Sequence, residues 1–386
     1  MPLCRKLATR LINATNNLRY TSTAAQPIQL QDELIQTFRT KENNPSKHSA
    51  VHLHRYYTIP YNEINTIFAQ TIPGEYIKQN KTFQEMCLLI RKPAIEIINC
   101  LSQTDYTKPV NKYVLYGEDG CGKTSTLLHL IHYGYVTKKI IVNVQWAPMW
   151  YRFPREVANS TTREGFVDLP IDAAAWLLNF KNQNRLILNQ VDLKLSNAYE
   201  WSSQESSLKG SPLIELIDFG IQRVKYASDI VIALMSELKQ ASIAGKCKIM
   251  VAIDCYNAFF ANETNVKNDA KQKVPASKVT LTQAFLDITK SDWCNGEIIL
   301  AVDQFSTKDV RDSYFPRYLL RKEGFDHLDP FLPIAVENYS TDEFDTVIEY
   351  YKNRKWIRKL SPEGQKELEL VSGKNPYKLM EYCKNL

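Results

Sequence analysis

Residues 117–124 read Gly117-Glu118-Asp119-Gly120-Cys121-Gly122-Lys123-Thr124. They fit G-x-x-x-x-G-K-[ST], the spacing of a phosphate-binding loop. The chemistry needs these residue types. Glycines let the backbone fold so that successive N–H groups turn onto phosphates. A helix opening at Lys123 adds its positive N-terminal end. Lys123 would reach the β- and γ-phosphates, and the Thr124 hydroxyl would hold Mg²⁺, with Ser125 next in the first turn. The metal calls for a second carboxylate at the end of a buried strand of the same sheet. Ile249-Met250-Val251-Ala252-Ile253-Asp254 supplies five apolar residues and then an acid, so Asp254 is the candidate. The next position is Cys255. Nucleotide-driven machines place a Glu there to orient and deprotonate water, and no Glu lies within eight residues after Asp254. Binding without efficient hydrolysis is the inference.

Other residues carry weaker signals. Asp303, Gln304 and Ser306 follow the apolar run 298–302, where a strand end of a doubly wound sheet lies near the ligand. Each is a γ-phosphate sensor or a loop residue. Asn189-Gln190-Val191-Asp192 lacks the Lys of a guanine-reading N-K-x-D and precedes the Asp254 strand, so it reads as helix surface. ATP and GTP stay undecided on spacing alone. Cys121 at a helix N-terminus is a thiol with a lowered pKa or a small filler. Arg311, Arg317 and Arg321 are candidate arginine fingers without a spacing rule. Lys267, Lys271, Lys273 and Lys278 surround Pro275 in a basic, solvated loop. His48, His52 and His54 lack the partners of a metal site.

Elements must bring these residues together. Tyr113–Tyr116, 140–144, 249–253 and 298–302 are short runs of strand formers. Helical spacing covers 80–103 (with a kink or new start at Pro93), 123–134, 173–188 and 213–243, the last ending at Gly245. Buried-type strands alternating with helices predict an α/β P-loop core with a parallel sheet covered on both faces. After about residue 310 the strand signals fade. The capping box at Ser340 and starts at Pro362 and Pro376 predict a C-terminal helical domain. The expected divisions are 1–25, 26–110 with helices, 111–310 as the nucleotide-binding core, and 311–386.

Length and charge bound the function. The 386 residues are 44% hydrophobic and 23% charged, ordinary for a globular chain. No apolar run is long enough to span a membrane, and no membrane partner is expected. Eight cysteines without a C-x-x-C pair fit a reducing compartment. The first acid is Asp32, and the residues before it carry Arg5, Lys6, Arg10 and Arg19. This basic, amphipathic, Ser/Thr-rich start reads as a mitochondrial transit peptide. Removing its +4 from the net +6 leaves +2. So weak a charge predicts protein partners and limited contact with RNA.

The chain resembles the death-associated protein three family, the P-loop proteins of the mitochondrial small ribosomal subunit. The resemblance rests on LLIRKPAIEII at 88–98, YVLYGEDGCGKTSTL at 113–127, WLLNFKNQNRLILNQV at 176–191 and KGSPLIEL at 209–216. It continues in MVAIDCYNAFF at 250–260, KSDWCNGEIILA at 290–301, KEGFDHLDPFLPIAVENY at 322–339 and GKNPYKLMEYC at 373–383. It implies an AAA+-like P-loop core and a place in the mitochondrial matrix, in the head of the small subunit. There the chain would meet small-subunit proteins, a limited amount of small-subunit rRNA, and large-subunit proteins across the subunit interface. It implies GTP or GDP with Mg²⁺ on Gly117 to Thr124, Asp254 as the Walker B acid, and Gln304 as the sensor-like strand end. Cys121 departs from the small hydroxyl residue expected in the loop. The alternatives are an active AAA+-type GTPase or ATPase and a nucleotide switch linked to cell death.

Overall fold

A five-stranded parallel sheet organises the chain. In spatial order its strands are Leu332–Ala335, Asn111–Tyr116, Gly296–Ala301, Ile249–Ile253 and Ile140–Val144. The structure is a computed structural model that describes residues 37–68, 72, 74–309 and 312–384. The expected transit peptide lies outside the described residues. Phe38 to Leu386 is one compact unit.

Strand alternation explains why both faces are covered. Val114, Val142, Val251, Ile253, Ile298 and Leu300 point into one apolar cluster. Helices Pro170–Gln183, Leu213–Gln222, Ala227–Ile243 and Thr280–Ile288 contribute to that cluster. Tyr113, Leu115, Ile141, Met250, Ala252 and Ile299 point into a second one. Helices Lys123–Val136 and Lys92–Ser102 close that side. The four expected strands are present, and the α/β P-loop core with helices on both faces is the architecture.

The structure departs from the sequence reading in four places, one of them at Asn184, which divides the helix expected over 173–188 into Pro170–Gln183 and Arg185–Gln190. Residues 80–103 are not one helix: helix Gly74–Phe83 gives way to strand Met86–Leu89, and a new helix starts at Lys92 with Pro93 in its first turn. Met86–Leu89 pairs antiparallel with Tyr56–Ile59. Residues 213–243 break at Arg223, where a turn of 3₁₀ helix, Val224–Tyr226, separates two α-helices. The sheet also crosses the expected boundary at residue 310. Leu332–Ala335 is its fifth strand, in register with Tyr113 to Tyr116. Beyond it, helices Thr341–Asn353, Pro362–Ser372 and Pro376–Cys383 follow as expected. The first and last of these share a third cluster with Phe38, Tyr56 and Phe83.

Candidate functional site

Parallel strands bring their C-terminal ends to one sheet edge. The loop after Tyr116, the acid after Ile253 and the turn after Ala301 therefore meet. Lys123 opens helix Lys123–Val136 and its side chain is buried. Its Nζ donates to the Gly117 carbonyl at 3.0 Å and the Glu118 carbonyl at 2.7 Å. It also pairs with Asp303 Oδ2 at 2.9 Å. Thr124 Oγ1 donates to Asp254 Oδ2 at 2.6 Å. The Cys255 N–H holds the other oxygen, Asp254 Oδ1, at 2.9 Å. The hydroxyls of Ser125 and Tyr76 are in hydrogen-bond contact.

The electrostatics suit a divalent cation. Burial, and then the neighbouring Asp303 charge, push the Asp254 carboxyl up to about 6, against the Thr124 hydrogen bond and Lys123. Two carboxylates, Asp254 and Asp303, face one ammonium. A Mg²⁺ between Thr124 and Asp254 would offset that excess negative charge, and a phosphate would replace the carbonyls around Lys123.

Cys255 sits in the left-handed region at φ 57°. Burial and the adjacent carboxylates push its thiol up, so it cannot serve as a base near neutrality. Burial also pushes the Cys121 thiol up, despite Lys123 and Arg91 nearby. Cys121 is thus a packed filler and not an activated thiol.

Two cavities flank the loop. One of about 290 Å³ is lined by Tyr76, Gln79, Asn80, Tyr339, Tyr351 and Tyr377, beside Gly120 to Ser125. The other, of about 710 Å³, lies beside Thr124, Asp254 and Asp303 and is walled by Trp146, Trp150 and Trp176.

Of the three strand-end residues, Asp303 meets the loop. Asn257 fixes its main chain through a 2.9 Å donation to its carbonyl and a 3.0 Å acceptance from its N–H. Gln304 instead turns its amide to the Asp312 carbonyl at 3.2 Å, and Ser306 bonds back to the Asp303 carbonyl at 2.9 Å. The arginines that line the larger cavity are Arg152 and Arg155. Arg321 pairs with Asp309, Arg317 is exposed, and Arg311 lies outside the described residues. Asn189 and Asp192 are exposed. Lys267, Lys271, Lys273 and Lys278 are exposed in their loop. Among the described residues no group of His, Cys, Asp and Glu side chains could hold a metal ion by itself, and no helix is long and apolar enough to cross a membrane.

Sequence reasoning missed three residues of the loop's surroundings: Arg91, Asn338 and Asn375. Arg91 Nη1 donates to the Cys121 carbonyl at 2.7 Å. Asn338 Nδ2 donates to Glu118 Oε2 at 3.0 Å, and Asn375 Nδ2 to the Asp119 carbonyl at 2.9 Å. All three lie inside the segments that carry the resemblance, which is the one signal that could have found them.

A parallel sheet with a phosphate loop at the end of one strand, and a hydroxyl–carboxylate pair beside a buried lysine, defines a protein of the P-loop NTPase class. The profile of the family described as mitochondrial ribosomal death-associated protein 3 matches residues 88–382, and the chain belongs to that family. It is 37% identical to the small ribosomal subunit protein mS29 of Bos taurus, over 97% of this chain and 98% of that one. It is likewise 37% identical to mS29 of Mus musculus, over 90% and 89%. Among solved structures it is similar to the ORC2 protein of Aeropyrum pernix, at 13% identity and a TM-score of 0.32, over 80% of this chain and 61% of that one. That likeness is too slight to carry an argument.

Proposed function

We propose that this protein is a component of the mitochondrial small ribosomal subunit, in the matrix, that holds a purine nucleotide with Mg²⁺ and turns it over slowly or not at all. The ligand is GTP or GDP, with ATP kept as the alternative base. The ribosomal part rests on family membership and on 37% identity across nearly the whole length of a small-subunit protein. The single observation that carries the nucleotide is the Thr124–Asp254 contact of 2.6 Å beside buried Lys123. The tyrosine-lined cavity beside Gly120 and Ser125 suits the flat face of a base. Slow turnover follows from Cys255, a neutral thiol at the position where a water-activating acid would stand.

In this reading the nucleotide braces the loop–helix junction and stabilises the conformation that binds it. The partners are small-subunit proteins, large-subunit proteins across the interface, and a limited length of rRNA. Sedimentation of salt-washed mitochondrial lysate tests it, with tagged wild-type and Lys123→Ala chains side by side. The wild type should run with the small subunit, and its tagged pool should release a guanine or adenine nucleotide on denaturation. Lys123→Ala should release none and enter the subunit less efficiently. A wild type that runs free, or rapid hydrolysis by purified wild type, overturns the bracing role.

A further inference from the structure

The carbonyls of the phosphate loop are held from two sides. Gly117 and Glu118 give theirs to Lys123. The next three are held by residues outside the motif. Asp119 accepts from Asn375 Nδ2 at 2.9 Å, Gly120 from the Tyr377 N–H at 3.1 Å, and Cys121 from Arg91 Nη1 at 2.7 Å. Two of these donors come from the C-terminal segment. The third is locked to it: Arg91 makes two 3.0 Å bonds to Glu343 and donates to the Glu337 carbonyl at 2.8 Å. Packing tells the same story. A Cβ on Gly120, at φ +75°, would lie 2.6 Å from Tyr377 Cβ, and one on Gly117 would lie 2.1 Å from the Val336 carbonyl oxygen.

Peptide geometry turns these contacts into a statement about the ligand. In a planar trans peptide the C=O and the following N–H point in opposite directions. Pulling the Asp119 and Cys121 carbonyls outward therefore aims the Gly120 and Gly122 N–H groups inward, where phosphate oxygens would sit. We propose that Asn375 and Arg91 are positioning residues that set the aim of the phosphate loop from outside, so that docking of the C-terminal segment and nucleotide affinity are one coupled equilibrium. The proposal rests on the reading of the loop as a nucleotide site. Coupling is reciprocal: the nucleotide must strengthen the docking by the factor that docking strengthens the nucleotide.

Asn375 separates this role from plain stability. Its Oδ1 caps helix Pro376–Cys383 by accepting from the Lys378 N–H at 3.2 Å, while its Nδ2 reaches the loop. Asn375→Ser keeps a good N-cap and removes the reach to Asp119. Asn375→Ala removes both. The assay is Mg·GDP and Mg·ATP binding by calorimetry, with Tm measured without nucleotide. Asn375→Ser should bind roughly 5- to 30-fold more weakly with little change in Tm. Asn375→Ala should lose Tm as well but bind no more weakly than Asn375→Ser. Arg91→Lys should weaken binding about tenfold or more, because a lysine cannot reproduce the fork. Without any nucleotide, amide exchange at Gly120 to Lys123 should quicken in Asn375→Ser. Wild-type affinity and wild-type exchange in Asn375→Ser, or affinity that simply follows Tm across the variants, overturns the proposal. A wild-type chain that binds neither nucleotide overturns the reading of the site, whatever the exchange result shows.

Discussion

Acidification should destabilise this protein through His48, and the size of the effect follows from its surroundings. His48 is buried. Its Nδ1 faces His129 Nε2 at 2.9 Å and its Nε2 faces the Glu42 carbonyl at 3.0 Å. A carbonyl can only accept, so Nε2 carries the proton and Nδ1 accepts from His129. His129 is on the helix that Lys123 opens, so this contact ties the N-terminal part of the compact unit to the phosphate-loop helix. A second proton on His48 would put a positive charge in a desolvated place. Burial accordingly lowers His48 to about 4, with the Glu42 carbonyl as a partial counterweight. The unfolded group titrates near 6.5. The folded value is the lower one, so the unfolded chain takes up the proton first. Stability is complete above about pH 6.5 and is lost as pH falls towards 4. At pH 5 this linkage removes about 2 kcal/mol. Raised carboxyls such as Asp254 act in the opposite sense, so the useful quantity is a difference. Urea unfolding of wild type and His48→Asn at pH 7.5 and pH 5 isolates it. His48→Asn should be less stable at pH 7.5, yet lose about 2 kcal/mol less than wild type between the two pH values. Equal losses would refute the reasoning, because the histidine pair would then not be held neutral by its burial.

Three further outcomes are expected. Cys255→Glu places a carboxylate next to Asp254, where water activation is worth about 10²-fold or more; phosphate release should rise from background to a measurable rate, and bound but unhydrolysed nucleotide would show that the thiol is not what limits turnover. Gly120→Ala meets Tyr377 at 2.6 Å and an unfavourable φ of +75°, so thermal unfolding should show a loss of about 2 kcal/mol or more together with loss of Mg·GDP binding. Ser340→Ala removes the hydroxyl that accepts from the Glu343 N–H at 3.1 Å and should cost about 1 kcal/mol in urea unfolding; an unchanged midpoint would mean the capping box is redundant with the Arg91–Glu343 pair.

What the sequence made legible was local. The loop was readable because its glycines and lysine have fixed spacing. The four expected strands were readable because each is a short, mostly apolar run bounded by polar residues. The fifth strand was not. Leu332–Ala335 is an edge strand in which only Ile334 is buried, and Pro333 removes a donor. Four residues with one buried side chain give no alternation to read. Met86–Leu89 failed for the opposite reason. Phe83, Cys87 and Leu88 have helical spacing, and only pairing with Tyr56–Ile59 decides for a strand. The break at Arg223 is itself neither Gly nor Pro, and Gly220, the nearest breaker, lies inside the first helix and does not end it.

The site divides along the same line. Thr124 and Asp254 could be paired from sequence because a magnesium ion demands both and each follows a recognisable element. Asp303 could not be chosen over Gln304, since one residue's difference after a strand end is settled by where the turn aims it. Here Asn257 settles it, through two bonds to the Asp303 main chain. Arg91, Asn338 and Asn375 were further out of reach. Asn338 and Asn375 lie more than 200 residues after the loop, and the Arg91–Glu343 pair spans 252 residues. Their value is geometric: each satisfies a loop group that the chain's local order leaves open. A phosphate loop is usually explained by its glycines alone. In this protein the glycines permit the curve, and the C-terminal segment holds it. The boundary expected at residue 310 would therefore cut through the proposed nucleotide site. A chain truncated there would lose the strand beside Asn111–Tyr116 and the outside donors to Asp119 and Gly120 in one step. Even with every residue of the motif intact, it should not bind nucleotide.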